Sequence, residues 1–358
     1  MLDTFDRIDA AIEKNAELAD AFVATGAAMY GFEGPSTGQE SCHSGTDEPK
    51  TRRVADWEGS VNPHDQEKAH STVKQLYRDW SAEGAVERKA CYGPILDALD
   101  REYQHIAKPN RGQIKVLVPG AGLGRSVFEI SRAGYAVEGN EISYHQIIAS
   151  NFMLNFTKQA GQFELYPWIH GFSNHLSRDD HLQKVLVPDV HPATELHAVA
   201  TESNIHPFER MSFSSADFCV AYKDEESRES FDAVTSIFFI DTAPNVLKYV
   251  EAVHHCLKQG GVWINVGPLK WHFENNPPTE KETQRPSIPS TGHLVTDDGI
   301  GDPGSVELTE DEVMALLAEM GFTVESSESM KIDTGYISNP RSMWQSVYHP
   351  SFWIARKL

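Results

Sequence analysis

Before the chain first reads as strand, apolar residues recur at helical spacing in three stretches. Phe5, Ile8, Ile12, Leu18, Ala21 and Phe22 mark an amphipathic helix over Leu2 to Met29. Val73, Leu76, Tyr77 and Trp80 share one face of a second helix that begins at His64. Tyr92, Ile95, Leu96, Leu99 and Tyr103 mark a third, from Ala85 to about Ile106. Between the first two helices, residues 31–63 are rich in Gly, Ser, Glu and Pro and carry no periodic apolar set. That composition predicts a long loop or partly disordered linker. All three helices precede the first strand, so residues 1–110 read as an N-terminal helical cap or lid.

From Ile114 the pattern changes to short apolar runs alternating with helical periods, the mark of a doubly wound α/β sheet. Ile114 to Val118, Ala136 to Gly139, Met211 to Ser214, Phe231 to Ile240 and Val262 to Gly267 read as strands one to five. Helices are expected after the first strand, from Tyr144 to about Phe156, and from Asn245 to Leu257. Residues 161–207, with four prolines and little periodicity, and residues 274–304, polar and proline-rich, read as insertions in a core spanning 111–358. A last helix over Glu310 to Met320 leads to two strands, near Phe322 to Met330 and Phe352 to Arg356. With no helix between them, these two suit an antiparallel hairpin at the sheet edge.

The candidate chemistry sits at the strand ends. After the first strand, Pro119 is followed by Gly120, Gly122 and Gly124. Residues without a Cβ let the backbone turn sharply and approach a ligand, at the start of a helix whose N–H groups are unpaired. Glu141, at the tip of strand two, is placed to accept hydrogen bonds from ribose hydroxyls. A glycine turn alone serves NAD, FAD and purely structural bends as well. S-adenosylmethionine, however, has no pyrophosphate and is held by acids and backbone along successive strand tips. Glu141, Asp217 with Phe218, and the segment before Asp241 fall at three such tips. Each acid has a plainer role open to it as a helix N-cap. In this fold class the tip of strand four faces the transferred group, where Asp241 would accept a proton or orient a basic nitrogen. His272, in the loop after strand five, borders the same cleft or is simply a polar loop residue.

Composition narrows the partners. With 31 basic and 52 acidic residues the formal charge is −21, which opposes nonspecific binding to nucleic acid and to anionic membranes. No apolar run approaches the ~18 residues of a bilayer span. Cys42, Cys91, Cys219 and Cys256 show no CxxC pairing and no apolar leader precedes them, which favours a reduced intracellular compartment, the cytoplasm with the nucleus also open. The histidines lack zinc-ligand spacing, so no metal is expected.

Seven phrases together are more specific than any of these features: KQLYRDWSAEG…ERKACYGPI, VLVPGAGLGR, GNE, LYPWIHGFSN, SADF, FFIDTAPNV and INVGPLKWHFEN. They resemble the carnosine N-methyltransferase family from the N-terminal helix to the final strand. The resemblance implies a seven-stranded, Rossmann-like class I methyltransferase sheet with a helical lid. It also implies S-adenosylmethionine as cofactor and the imidazole of carnosine, or of a related histidine dipeptide, as acceptor, giving anserine from carnosine. Histidine in a longer peptide or another small metabolite is the alternative acceptor. By the same resemblance Gln75, Arg78, Gly120, Glu141, Asp217, Phe218 and Ile237 contact the cofactor. Phe238, Asp241, His272 and Tyr348 form the substrate pocket, with Asp241, His272 and Tyr348 serving catalysis. The oligomeric state stays open, a homodimer included.

Overall fold

The computed structural model describes residues 2–31, 61–275, 305–329 and 331–358. The expected loop at 31–63 and the expected insertion at 274–304 lie almost wholly outside the described residues. The helices, in chain order, are α1 (Leu2–Tyr30), α2 (Pro63–Trp80), α3 (Ala85–Glu102), α4 (Arg125–Arg132), α5 (Tyr144–Asn155), α6 (Arg178–His181), α7 (Pro192–Ala198), α8 (Phe218–Ala221), α9 (Val246–Cys256) and α10 (Glu310–Glu319). The strands are β1 (Lys115–Pro119), β2 (Ala136–Glu141), β3 (Phe163–Leu165), β4 (Val185–Val187), β5 (Met211–Ser215), β6 (Phe231–Ile237), β7 (Leu257–Gly267), β8 (Phe322–Glu328) and β9 (Ser351–Lys357). The chain divides into two compact units, neither continuous in sequence.

The first unit comprises Met1–Ala85, Tyr144–Ala193 and Ile337–Gln345. Of the apolar positions read from the sequence, Ile8 is buried on α1 against Ile169, together with Ala11, and Leu18 is buried as well, whereas Phe5 and Ile12 are exposed. Phe22 of α1 meets Phe152 of α5 edge to face at 5.2 Å. Asn15 ties the same helix to Tyr166, donating to its carbonyl at 3.0 Å and accepting from its N–H at 2.8 Å. Asn62 and Asp65 form a reciprocal capping box at the start of α2, which satisfies N–H groups that the first turn leaves open. Part of the stretch expected to be an irregular insertion forms an antiparallel pair, β3 with β4.

The second unit comprises Val86–Ser143, Thr194–Tyr336 and Ser346–Leu358. Its seven strands run in the order β5-β2-β1-β6-β7-β9-β8. The first five are parallel, and β9 inserts antiparallel between β7 and β8. Side chains alternate across the sheet. Val116, Val118, Ala233, Ile264 and Val266 face one way, onto Ile95 and Leu99 of α3 and Val127 and Ile130 of α4. Val234, Trp263 and Trp353 face the other, onto Val246, Val250 and Val253 of α9 and Leu317 of α10. The strand expected to run to Ile240 ends at Ile237. Phe238 departs from it with a φ of 53°, and Ile240–Thr242 form a 3₁₀ turn.

Candidate active site

In the second unit, parallel strands bring their carboxyl ends to one edge of the sheet, where a reversal in strand order between β1 and β6 leaves a crevice. The glycine turn lies there. Gly120, Gly122 and Gly124 take φ values of 66°, 56° and 77°, a left-handed run open to glycine at little cost. A Cβ at Gly120 would come within 2.5 Å of the Phe239 ring, whereas one at Gly122 would meet nothing within 4 Å. The turn is therefore packed from below and open on its other side. Glu141 locks it to β2: one carboxylate oxygen accepts from Gly122 N–H at 2.9 Å, and the other accepts from Ile142 and Ser143 N–H groups, each at 2.9 Å. Oε2, with the single Gly122 donor, keeps acceptor capacity for a further one, whereas Oε1 is already satisfied by two.

At the end of β5, Asp217 caps α8 by accepting from Cys219 N–H at 2.9 Å, so the capping role foreseen as an alternative is real there. Phe218 is buried, edge-on to Phe239 at 5.5 Å and to Tyr249 at 5.6 Å. Phe239 and Tyr249 stack at 4.6 Å. This aromatic block supports the underside of Gly120. Ile237, half-buried, ends β6 against the core beneath α3 and α4.

Asp241 does not cap α9. Asn245 does, accepting from Leu247 N–H at 3.1 Å. The Asp241 carboxylate is instead 3% exposed and accepts from the N–H of Lys270 at 3.0 Å, while its backbone carbonyl accepts from the N–H of His272 at 3.0 Å. The loop after β7 is thus zipped onto the turn after β6, which brings His272 beside Asp241 in the backbone. Burial pushes the Asp241 carboxyl up to about 6, against the opposing pull of the Lys270 N–H and ammonium. The His272 imidazole, exposed on its loop, is shifted below its ordinary range by partial desolvation and then by the Lys270 charge. At about 6, the Asp241 carboxyl is ionised near neutral pH.

Three rings stand at the same strand end. Phe238 meets Tyr348 edge-on at 5.7 Å and lies tilted over Tyr336 at 5.0 Å. An isolated antiparallel bridge holds Tyr348, whose N–H donates to Thr334 at 2.8 Å and whose carbonyl accepts from Thr334 at 3.1 Å. Tyr336 was not foreseen, because it sits in a stretch without periodicity and its position depends on that long-range bridge. Gln75 and Arg78 lie on α2 in the first unit, where the Gln75 side chain accepts from Gln146 Nε2 at 2.9 Å and Arg78 is buried. Among the described residues no three His, Cys, Asp or Glu side chains gather as a metal site, and no helix is long and apolar enough to cross a membrane.

The strand order with its antiparallel penultimate edge strand, the glycine turn and the acid on β2 define a class I methyltransferase fold. A family model described as carnosine N-methyltransferase matches residues 55–358. A carnosine N-methyltransferase of Schizosaccharomyces pombe is 37% identical over 98% of this chain and 82% of its own length. Those of Drosophila melanogaster and Mus musculus are 35% and 34% identical, each over 84% of this chain, which spans 57% and 66% of their lengths. Among solved structures, a 1,6-didemethyltoxoflavin N1-methyltransferase of Burkholderia thailandensis aligns with a TM-score of 0.37 at 16% identity, over 83% of this chain and 91% of that one. The chain belongs to the carnosine N-methyltransferase family, and it is an S-adenosylmethionine-dependent N-methyltransferase.

Proposed function

We propose that this protein transfers a methyl group to a ring nitrogen of carnosine, or of a closely related histidine dipeptide. The observation that carries this reading is the buried Asp241 carboxylate, tied to the Lys270–His272 loop and three residues beyond Phe238. The names of the family and of its relatives supply the acceptor. Histidine within a longer peptide is the second acceptor that the same groups would serve.

The open side of the glycine turn and the carboxylate of Glu141 fit the nucleoside of S-adenosylmethionine. In this reading Gly120 lets the backbone approach it, Glu141 accepts from ribose hydroxyls, and Asp217, Phe218 and Ile237 border the base. Gln75 and Arg78 are assigned to the cofactor by the family phrase KQLYR. When bound, the cofactor supplies an electrophilic methyl group on a sulfonium centre.

The acceptor must present an unprotonated imidazole nitrogen on the line of attack. Asp241 accepts a hydrogen bond from the opposite ring N–H, which fixes the tautomer and stabilises the positive charge that develops on the ring. Phe238 provides a wall for the imidazole plane, and Tyr348 and His272 position the ring or the peptide part. The ring charge formed next to a desolvated carboxylate is worth more than it would be in water, because the carboxylate needs no reorganisation. We place the reaction in the cytoplasm or nucleus and without nucleic acid, in keeping with the charge of −21.

The reading is tested by incubating the protein with labelled S-adenosylmethionine and, in parallel, carnosine, other histidine dipeptides, free histidine and a histidine-containing peptide. Transfer is expected to be fastest to a dipeptide. Transfer to none of these imidazoles sinks the acceptor assignment and leaves the fold standing.

A further inference from the structure

We propose that the second unit carries another ligand site, a pocket for a phosphate group at the amino edge of its sheet, opposite the glycine turn. The topology places it. Residues Lys108–Gln113 lead into β1, Arg132 and Gly134 end the helix that precedes β2, and Arg210 leads into β5. These strands are parallel, so their starts share one edge and their carboxyl ends the other. A cavity of about 280 Å³ lies there, and Lys108, Arg111, Arg132, Ser203 and Arg210 line it.

In a chain of charge −21, four cations converge on this one cavity. Arg111 and Arg210, only 8% and 5% exposed, are its buried part. The acids that also line it, Asp97, Asp100 and Glu202, are exposed at the rim. Arg111 pairs with Asp100 at 2.5 Å, and Arg132 with Glu129 at 2.8 Å and Glu195 at 3.2 Å. Arg210 is different. Its two terminal nitrogens donate to the carbonyls of Ile205 and Ser131, at 2.8 and 2.7 Å, and among the described residues no carboxylate pairs with it. The Nε atoms of Arg111 and Arg210 are both buried without an acceptor.

A buried cation held only by carbonyl dipoles is costly, and burial depresses the Arg210 pKa accordingly. An oxyanion in the cavity supplies the missing counter-charge for the buried Arg210 guanidinium. Guanidinium forks match phosphate in geometry and shed water more readily than ammonium. Lys108, exposed at the mouth, adds charge. The cavity exceeds a single phosphate, so free phosphate and a small phosphate monoester both satisfy this chemistry.

The test is calorimetry on the full chain with inorganic phosphate and with glycerol phosphate, at an ionic strength fixed by sodium chloride. One-site, saturable binding of either is expected, and the tighter of the two identifies the source. Lys108→Glu is expected to weaken it by about tenfold, with circular dichroism unchanged, and Arg132→Gln to weaken it as well. Saturating S-adenosylhomocysteine is expected to leave it unaltered. No binding above the chloride control, binding that survives Lys108→Glu undiminished, or displacement by S-adenosylhomocysteine would each overturn the site.

Discussion

Replacing Asp241 by Asn separates what the carboxylate does for the reaction from what it costs the fold. Asn keeps an oxygen to accept from the Lys270 N–H but carries no charge to bury. Burial moves the Asp241 carboxyl from 3.8 to about 6, which corresponds to about 3 kcal/mol of destabilisation once the group is ionised in both states. The sign follows from the direction. A carboxyl whose pKa is raised on folding contributes its full stability below pH 3.8 and loses it as pH rises through about 6. Urea unfolding of wild type and Asp241→Asn, followed by tryptophan fluorescence at pH 4 and pH 8, is therefore expected to diverge. The variant gains on wild type by roughly 2–3 kcal/mol at the higher pH, while its turnover falls on the order of 10²-fold. The stabilised variant would be the poorer enzyme. A stability difference that does not change with pH would refute the cost of burial, and wild-type turnover in the variant would refute the catalytic role.

Three further outcomes follow from the same geometry. Turnover of wild type is expected to rise as pH passes about 6, where Asp241 ionises, and this limb should vanish in Asp241→Asn when rates are compared at saturating substrate. Gly120→Ala puts a Cβ against the Phe239 ring at a φ of 66°, so a loss of about 1–3 kcal/mol is expected in thermal unfolding, with weaker S-adenosylmethionine binding by calorimetry. Tyr336→Ala and Tyr348→Ala should each raise KM for the imidazole substrate about tenfold while leaving cofactor Kd unchanged, because both rings flank Phe238, the wall assigned to the imidazole.

Much of the fold is legible in the chain because its signals are local. An apolar run of five residues stopped by Pro119 and three glycines can only be a strand, a turn and a helix start, and that unit stands as read. The paired terminal strands are equally clear, since no helical period separates Phe322 from Phe352 that would allow a parallel crossover. Failures come where geometry is set by distant contacts. Phe238, Phe239 and Ile240 extend the apolar run, yet the strand stops at Ile237 because Phe238 swings to a positive φ, its N–H bound to Val266. Strands β3 and β4, at three residues each, are too short to show a period. The grouping of α5 with α1 and α2 depends on packing across more than 100 residues, as between Phe22 and Phe152.

The candidate site divides in the same way. Glu141 and Asp241 announce themselves as acids at the tips of expected strands, and both are found buried at the carboxyl edge of the sheet. Their hydrogen bonds could not be read in advance: Glu141 binds three backbone N–H groups, and Asp241 binds the loop after β7 where an N-cap was the simpler expectation. Tyr336 has no sequence signal at all. It joins Phe238 only because Thr334 and Tyr348 pair across 14 residues, as numbered.

The central claim is tested most directly by one spectrum. The protein is incubated with carnosine and S-adenosylmethionine carrying a ¹³C-labelled methyl group, and the products are examined by ¹H–¹³C correlation. The predicted result is a single N-methyl imidazole signal that grows with time and is suppressed in Asp241→Asn. Cofactor binding with no labelled imidazole, or label on carnosine at the same rate in Asp241→Asn, would contradict the account.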